Sequence, residues 1–449
     1  MTNFSPQRPT IFAIIIYALG QFGWSLASFG AINLLIYFYL PPESGETNFP
    51  SFIFQGAIIG VLTVIGVVNF GGRIFDAITD PLIAIWSDKM NSKFGKRKFL
   101  MAISAIPFAL LSFLIFYPIS TDATINTGWL LITVFLLYFF MTLYVVPYTA
   151  LISELGHHPD DRLKISTVIS VTWALGFIIG NSVYAFQSYF SETMSSVEAF
   201  QMVMGIYSLI ALVFMLMPVF FLNENKYAVQ QSSSFDLKKS IGSVFANVNF
   251  RYFIFSDLMY WLALTFIQLG VSYYITLLFG KDIGAATLFM TIGFMTSFLL
   301  YVPLNLLSNK FGKKKILMIA FLVFSVVFLL TFMVPFLPVS MDVMFYVLAV
   351  VSAFPLAAFG IIPNAIIADI VHEHAEATGV QQAGMFYGIR NFMMKLGASL
   401  ANLIFPSLLL LGKSTANPMG VKVSTILAVV FCLVGFFIFT RYKERPNKH

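Results

Sequence analysis

The sequence predicts an all-α membrane protein of twelve transmembrane helices in two six-helix bundles. Three observations carry this. Of 449 residues, 59% are hydrophobic and 10% charged, whereas a water-soluble domain carries about 25% charged residues. Apolar runs recur along the chain, many of them long enough to span a bilayer, which takes about 20 residues. One basic motif also occurs twice: Lys93-Phe94-Gly95-Lys96-Arg97-Lys98 returns 217 residues later as Lys310-Phe311-Gly312-Lys313-Lys314-Lys315.

The runs lie at 12–40, 53–87, 98–118, 128–155, 164–188, 198–223, 251–279, 284–308, 314–336, 342–370, 382–412 and 421–441. Lipid-exposed backbone must satisfy its own hydrogen bonds, so each run reads as a helix. An even number of spans puts both termini on one side. All but six of the 26 Lys and Arg fall on one face. Lys281, Lys413 and Lys422 fall on the other, and Arg73, Arg390 and Lys395 lie within spans. The positive-inside rule makes the basic face cytoplasmic. The net charge of +6 therefore reads as topology, and no nucleic-acid partner is expected. Two parallel six-helix halves are the signature of the major facilitator superfamily (MFS) architecture. The expected division is 1–224 for an N-terminal bundle, 225–250 for a cytoplasmic linker and 251–449 for a C-terminal bundle. Within the linker, Leu237, Ile241, Val244 and Phe245 recur at helical spacing beside Lys238 and Lys239, which fits a surface helix as well as it fits plain linker.

Several classes are excluded. The polar first ten residues and the long run after them do not fit a cleavable signal peptide. Cys432 stands alone, so no disulfide forms within the chain. No nucleophile motif, phosphate loop or nucleotide fingerprint occurs in a suitable context, so the chain is not read as an enzyme and no cofactor is expected. His372-Glu373-His374 and His157-His158 lie at helix ends without a third ligand nearby and read as solvated surface.

The most informative feature is in span 2. Asp76 and Asp80 share one helix face, with Arg73 a turn before them. Each charge at bilayer depth costs about 2.5–3.5 kcal/mol. Counting from Asp88 at the helix end, Asp80 lies about 12 Å and Asp76 about 18 Å deeper. The pair thus straddles the midplane, where coupling ions bind in secondary transporters. Pro81 frees the carbonyl of Ala77 and favours a bend. Two close carboxylates need a counter-charge: Arg73, Lys395 in span 11, or a bound Na⁺ or H⁺. Thr79 and Thr142 in span 4 add oxygens, which favours Na⁺ over H⁺. The competing reading is a permanent acid–base strut between helices. The 217-residue offset maps the acids to Gly293 and Ser297, so only one half carries them, which disfavours a purely architectural role.

Arg73-Ile-Phe-Asp76-Ala-Ile-Thr-Asp80-Pro81, then Ser87-Asp88 and Gly95-Lys96-Arg97-Lys98, resembles the span 2 signature of the glycoside–pentoside–hexuronide:cation symporters, the melibiose permease among them. Pro147-Tyr148-Thr-Ala150-Leu151-Ile-Ser-Glu154 followed by Arg162 is similar to that family's span 4 pattern, and Pro363, Asp369, Gly384, Tyr387 and Lys395-Leu-Gly397 resemble spans 10 and 11. The resemblance implies Na⁺, Li⁺ or H⁺ coupling through Asp76, Asp80 and Thr142, with Thr79 in place of an asparagine and Lys395 between cation and sugar sites. It also implies acids in spans 1 and 4 that bind galactosides, and here those positions are Ser25 and Val145. Galactoside specificity is therefore not carried over.

Candidates for the substrate pocket are Gln21, Trp24 and Ser25 in span 1, Tyr148 in span 4, Trp173 in span 5, Tyr260, Trp261 and Gln268 in span 7, Asn364 in span 10 and Asn391 in span 11. Aromatics stack on sugar rings and amides bond to hydroxyls; in so aromatic a chain, each also has a packing reading. Asp257, early in span 7, reads either as another buried acid or as an acid near the cytoplasmic interface. Asp88 and Arg97, and Glu154 with Arg162, read as a cytoplasmic gate or as plain positive-inside charge.

The expected protein is a monomeric, multi-pass symporter of the cytoplasmic (inner) membrane, with the lipid bilayer around it and both termini cytoplasmic. It takes up a sugar, glycoside or related small solute by alternating access. One rival is a lysophospholipid-type amphiphile:Na⁺ symporter. The other, of a different class, is a non-transporting membrane sensor or scaffold, disfavoured by the lack of a signalling domain.

Overall fold

The computed structural model describes residues 7–43, 49–90, 92, 94–156, 159–227, 242, 244–379 and 383–444. Almost every element is a helix. Among the described residues, eleven helices are long and apolar enough to cross a membrane. They run Ile11–Tyr39 (span 1), Lys96–Leu114 (3), Ala123–Leu155 (4), Pro159–Asn181 continued by Val183–Phe190 (5), Ser196–Phe221 (6), Val248–Tyr273 (7), Gly284–Phe311 (8), Lys313–Met333 (9), Met341–Thr378 (10), Ala383–Leu409 (11) and Met419–Thr440 (12). Span 2 is the helix Val64–Lys89, which carries Arg73, Asp76 and Asp80 among its apolar residues.

Side-chain chemistry sets several of the ends. Thr10 caps span 1 by accepting from Ala13 N at 3.2 Å, and Asp122 caps span 4 by accepting from Thr124 N at 2.6 Å. The N–H groups of Thr124 and Ile125 hold the Asp122 carboxyl below its usual range.

Three expectations change. The second apolar run does not become helix over residues 53–63. Ala57–Ile59 pairs antiparallel with Leu62–Thr63 across Gly60-Val61. Gly60 has φ 61°, the geometry of a two-residue hairpin that a glycine at its first loop position permits. Span 7 ends in a π-helical turn, Tyr274–Leu278. Span 10 has 38 residues, about 57 Å of helix, so its last turns outrun a hydrocarbon core of about 30 Å. His372 and His374 sit on that helical extension rather than on a loop: His372 pairs with Glu376 at 3.3 Å, and the His374 ring lies 5.1 Å from Phe386. The expected surface helix and His157-His158 lie outside the described residues, apart from Val244, which is buried, and Phe245, whose ring lies 6.2 Å from that of Phe250.

The helices group into two units. The first comprises Met1–Pro41, Thr47–Gly56 and Val67–Ser233; the second comprises Pro42–Glu46, Ala57–Gly66 and Ser234–His449. In the first unit span 1 packs on spans 5 and 6, and span 3 packs on spans 4 and 6. In the second, span 7 packs on spans 11 and 12, and span 9 on spans 10 and 12. The pairings repeat, as the doubled basic motif implies. Small residues allow the close approaches: a Cβ at Gly23 would lie 2.6 Å from Met215 N on span 6, and one at Gly176 would lie 2.6 Å from Ser25 Cβ. Two short pieces of the span 1–2 connection, including the hairpin, belong to the second unit. There Glu43 N donates to Lys413 O at 2.9 Å, and the two side chains pair at 3.4 Å. Burial holds the Lys413 amine below its usual range, and Glu43 partly offsets this.

Candidate functional site

The span 2 acids lie in the first unit. Asn69, Arg73, Asp76 and Asp80 form one stripe of the helix, which continues unbroken through Pro81. A Cβ at Gly72 would lie 2.6 Å from the Tyr138 ring, so this glycine lets span 4 come close. The close packing brings Thr142 to Asp76. Its hydroxyl donates to Asp76 Oδ1 at 2.6 Å, and both residues are 1% exposed. Thr79, also buried, donates its hydroxyl to the Asp76 carbonyl at 3.1 Å, which leaves its oxygen lone pairs facing outward from that bond. Asp80 is half-buried one turn on. A carboxylate and two hydroxyls are hard oxygen donors of the kind that suit a hard cation.

Arg73 is one of the three candidate counter-charges for the acids. Its guanidinium lies over the Tyr138 ring, 5.6 Å from the centroid, and among the described residues it makes no salt bridge. The aromatic face of Tyr138 contributes to holding this cation. Lys395 lies half-buried in span 11 of the second unit.

The residues read as a gate do meet, though with partners other than those expected. Arg97 and Glu154 are each 5% exposed at the side chain, and Asp88 is 45% exposed. Arg97 Nη2 donates to Glu154 Oε1 and to Asp88 Oδ1, each at 2.6 Å, while Nε donates to Glu154 at 3.0 Å and Nη1 to Ser87 Oγ at 2.6 Å. Glu154 is thus paired with Arg97, where the sequence paired it with Arg162, whose side chain lies outside the described residues.

Glu224, which the sequence analysis passed over, completes this end. Its carboxylate accepts from Arg97 N at 3.0 Å and Lys98 N at 2.9 Å, capping span 3. Glu444 does the same for span 9, accepting from Lys313 N at 2.7 Å and Lys314 N at 3.0 Å. The doubled motif thus carries a glycine for a reason. Gly95 has φ 107° and Gly312 φ 92°, and a Cβ at either would collide with its capping carboxylate. Gly95→Ala is expected to lower the thermal unfolding midpoint of the detergent-purified protein, because a side chain at positive φ costs about 1–2 kcal/mol before the cap is disturbed. An unchanged midpoint would contradict it.

The pocket candidates divide. Tyr148 is fully buried and stacks on Tyr17, ring centroids 4.4 Å apart. Each hydroxyl donates to the other residue's carbonyl, so Tyr148 is a core residue. Tyr260 is buried against Phe359 with centroids 3.8 Å apart. Ser25 is 0% exposed in the seam with span 5 and accepts from Gln21 Nε2 at 2.9 Å; Gln21 is 3% exposed. These four are packing residues. Trp24 and Trp173 are half-buried; Trp173 stacks on Phe177. Gln268 borders a small cleft in the second unit with Phe289, Gly293 and Ser352. Asn364 and Asn391 are exposed. Of its two readings Asp257 takes the buried one: it is 3% exposed and pairs with Arg390, which the sequence analysis left unassigned, at 3.0 Å. Two opposite charges inside apolar spans were the only signal for this pair.

The chain matches the family described as MFS/sugar transport protein over residues 17–443. It is 26% identical to an isoprimeverose transporter of Lactiplantibacillus pentosus over 250 residues, 55% of this chain and about half (49%) of that protein. It is 25% identical to the uncharacterized symporter YnaJ of Bacillus subtilis over 93% of this chain and 88% of that one. A shorter match, 26% identical over 26% of this chain and 22% of that one, is to the sodium-dependent lysophosphatidylcholine symporter 1 of Xenopus tropicalis. Among solved structures, the nucleoside transporter NupG superposes with a TM-score of 0.70 at 15% identity, covering 97% of this chain and 99% of that one. With the helical architecture, the span 2 acids and a match along nearly its whole length, the chain belongs to the MFS/sugar transport protein family, as a multi-pass membrane transporter rather than an enzyme.

Proposed function

We propose that this protein is a Na⁺-coupled symporter for a sugar or glycoside, seated in the cytoplasmic membrane with its basic face and both termini inside. The observation that carries it is the buried contact between Asp76 and Thr142. In a membrane span, an acid sheltered beside hydroxyls is a group whose charge an arriving cation can balance. Cation binding at Asp76, Asp80, Thr79 and Thr142 then favours substrate binding and the conformational exchange of alternating access. The names of two relatives, an isoprimeverose transporter and a symporter, support the sugar and the coupling. In proteoliposomes, an imposed inward Na⁺ gradient is expected to drive isoprimeverose or xyloside accumulation, and a pH gradient alone is not. Accumulation of lysophosphatidylcholine and of no sugar would replace the reading with the amphiphile one.

The threonine gives a finer check. Thr142→Val removes one oxygen from the site while keeping its shape. The Na⁺ concentration for half-maximal uptake is expected to rise about tenfold, equivalent to about 1.4 kcal/mol, and Thr142→Ser is expected to restore it.

A further inference from the structure

Span 11 approaches span 7 closely at Gly397, where a Cβ would lie 3.1 Å from Leu258 O and 3.2 Å from Trp261 Cβ. Two turns earlier on span 11, that approach sets Arg390 against Asp257. Arg390 Nε donates to Asp257 Oδ2 at 3.0 Å, and Nη1 donates to Asn364 Oδ1 on span 10 at 2.6 Å. Three spans of the second unit therefore meet at one guanidinium.

The three residues grade from inside to outside. The side chain of Asp257 is 2% exposed and that of Arg390 is 12% exposed, while Asn364 is exposed although Ile362 and Ile366, two positions away on either side, are buried. An amide facing acyl chains would leave its hydrogen bonds unmade, so this face of span 10 is one that water reaches. A guanidinium has five N–H donors, and the bonds to Asp257 and Asn364 do not use them all. The exposed Asn364 amide adds two more donors. Trp261, half-buried one turn along span 7 from Asp257, adds an aromatic surface.

Resting on the sugar reading above, we propose that Arg390, held by Asp257 and bonded to Asn364, is a specificity-determining group that binds neighbouring hydroxyls of a neutral sugar. The charge argument selects that class. Asp257 already balances Arg390, so a carboxylate, sulfate or phosphate on the substrate would have to compete with a buried acid that has no solvent to retreat to. A hydroxyl brings no charge, accepts from the spare donors only, and donates its own O–H in a hydrogen bond to an oxygen of Asn364 or Asp257. A planar fork fixed by two partners is also preorganised for paired oxygens.

The test uses the purified full-length protein, isoprimeverose and methyl β-xyloside as neutral probes, glucuronate as an anionic probe and lysophosphatidylcholine as a zwitterionic one carrying a phosphate, read by thermal shift and equilibrium binding in Na⁺. The wild type is expected to bind a neutral probe in preference to the charged ones. The double variant D257N/R390Q removes both charges and leaves no orphan. It is expected to keep its Na⁺-induced thermal shift and lose sugar affinity about 30-fold or more, with Asn364→Ala, at an exposed position, losing about tenfold. A merely structural pair predicts unchanged sugar affinity in D257N/R390Q and in Asn364→Ala; unchanged affinity in the alanine variant alone, should the double variant fail to fold, is sufficient to overturn the proposal. Preference for glucuronate also overturns it while leaving sugar transport standing. Binding of lysophosphatidylcholine and no sugar overturns both this proposal and the function it rests on.

Discussion

Asp76→Ala is expected to abolish Na⁺-driven uptake, a loss of about 100-fold or more, on the order of what one charged group at bilayer depth is worth, with the protein still inserted at normal levels. Asp76 is 1% exposed and its Oδ1 is bonded to Thr142. Alanine removes the carboxylate and leaves Thr142 with a hydroxyl that can turn to a backbone carbonyl of its own helix, so the fold loses little. Asp80→Asn should behave alike, because an amide keeps the shape and forfeits the charge that attracts a cation. The separating measurement is counterflow. With no cation gradient, exchange of labelled for unlabelled sugar needs binding and conformational change but no net coupling. A coupling acid lost to mutation removes gradient-driven accumulation in every case; if the cation only drives uptake, counterflow survives in part, and if it also organises the sugar site, counterflow fails with it. Retention of Na⁺-dependent accumulation in both variants would show that these acids are a strut.

The architecture was legible because membrane burial writes it plainly into a sequence. Apolar runs must become helices, and a doubled Phe-Gly-Lys motif marks a doubled fold. The contact between Asp76 and Thr142 could be anticipated, since the span 2 acids stand out against an apolar background and Thr142 was named as a partner oxygen. Local apolarity misled at residues 53–63: the sequence runs apolar from Ile58 into the helix, and only Gly56 and Gly60 hint that the first part turns back as a hairpin. The pocket was harder. Tyr148 and Tyr260 share the composition of a sugar-stacking residue, but rings stacked on Tyr17 and Phe359 are core. Which way a tyrosine faces on a nearly all-apolar helix depends on its neighbours in space, and the periodicity of such a helix gives no preferred side. Glu224 and Glu444 were invisible, and the pairing of Asp257 with Arg390 was only hinted at, for a related reason. Each acts on a partner more than 100 residues away.

Arg97→Ala is expected to cost more stability than any other single change at the basic end. Arg97 contacts Glu154, Asp88 and Ser87 through its side chain, and removing it leaves Glu154, 5% exposed at the side chain, as a charge without its counter-ion. Breaking a buried pair from one side costs about 3–5 kcal/mol. The yield of folded protein and the unfolding midpoint should both fall sharply. Glu154→Gln should cost much less, because Arg97 keeps Asp88 and Ser87 and a neutral amide can still accept from it. The informative variant is the double one, R97A/E154Q. If the penalty of Arg97→Ala comes from the stranded carboxylate, neutralising Glu154 should restore most of the lost stability. Stability and transport then part company. A cluster that only pins spans 2, 3 and 4 together predicts that the rescued double variant transports like the wild type. A cluster that holds one conformational state predicts a rescued fold with a shifted balance of states, read as altered counterflow against unaltered melting. The exposure of Asp88, 45% against 5% for Glu154, favours the second outcome. A contact meant to break in each cycle needs one partner that water can take over, and Asp88 is that partner.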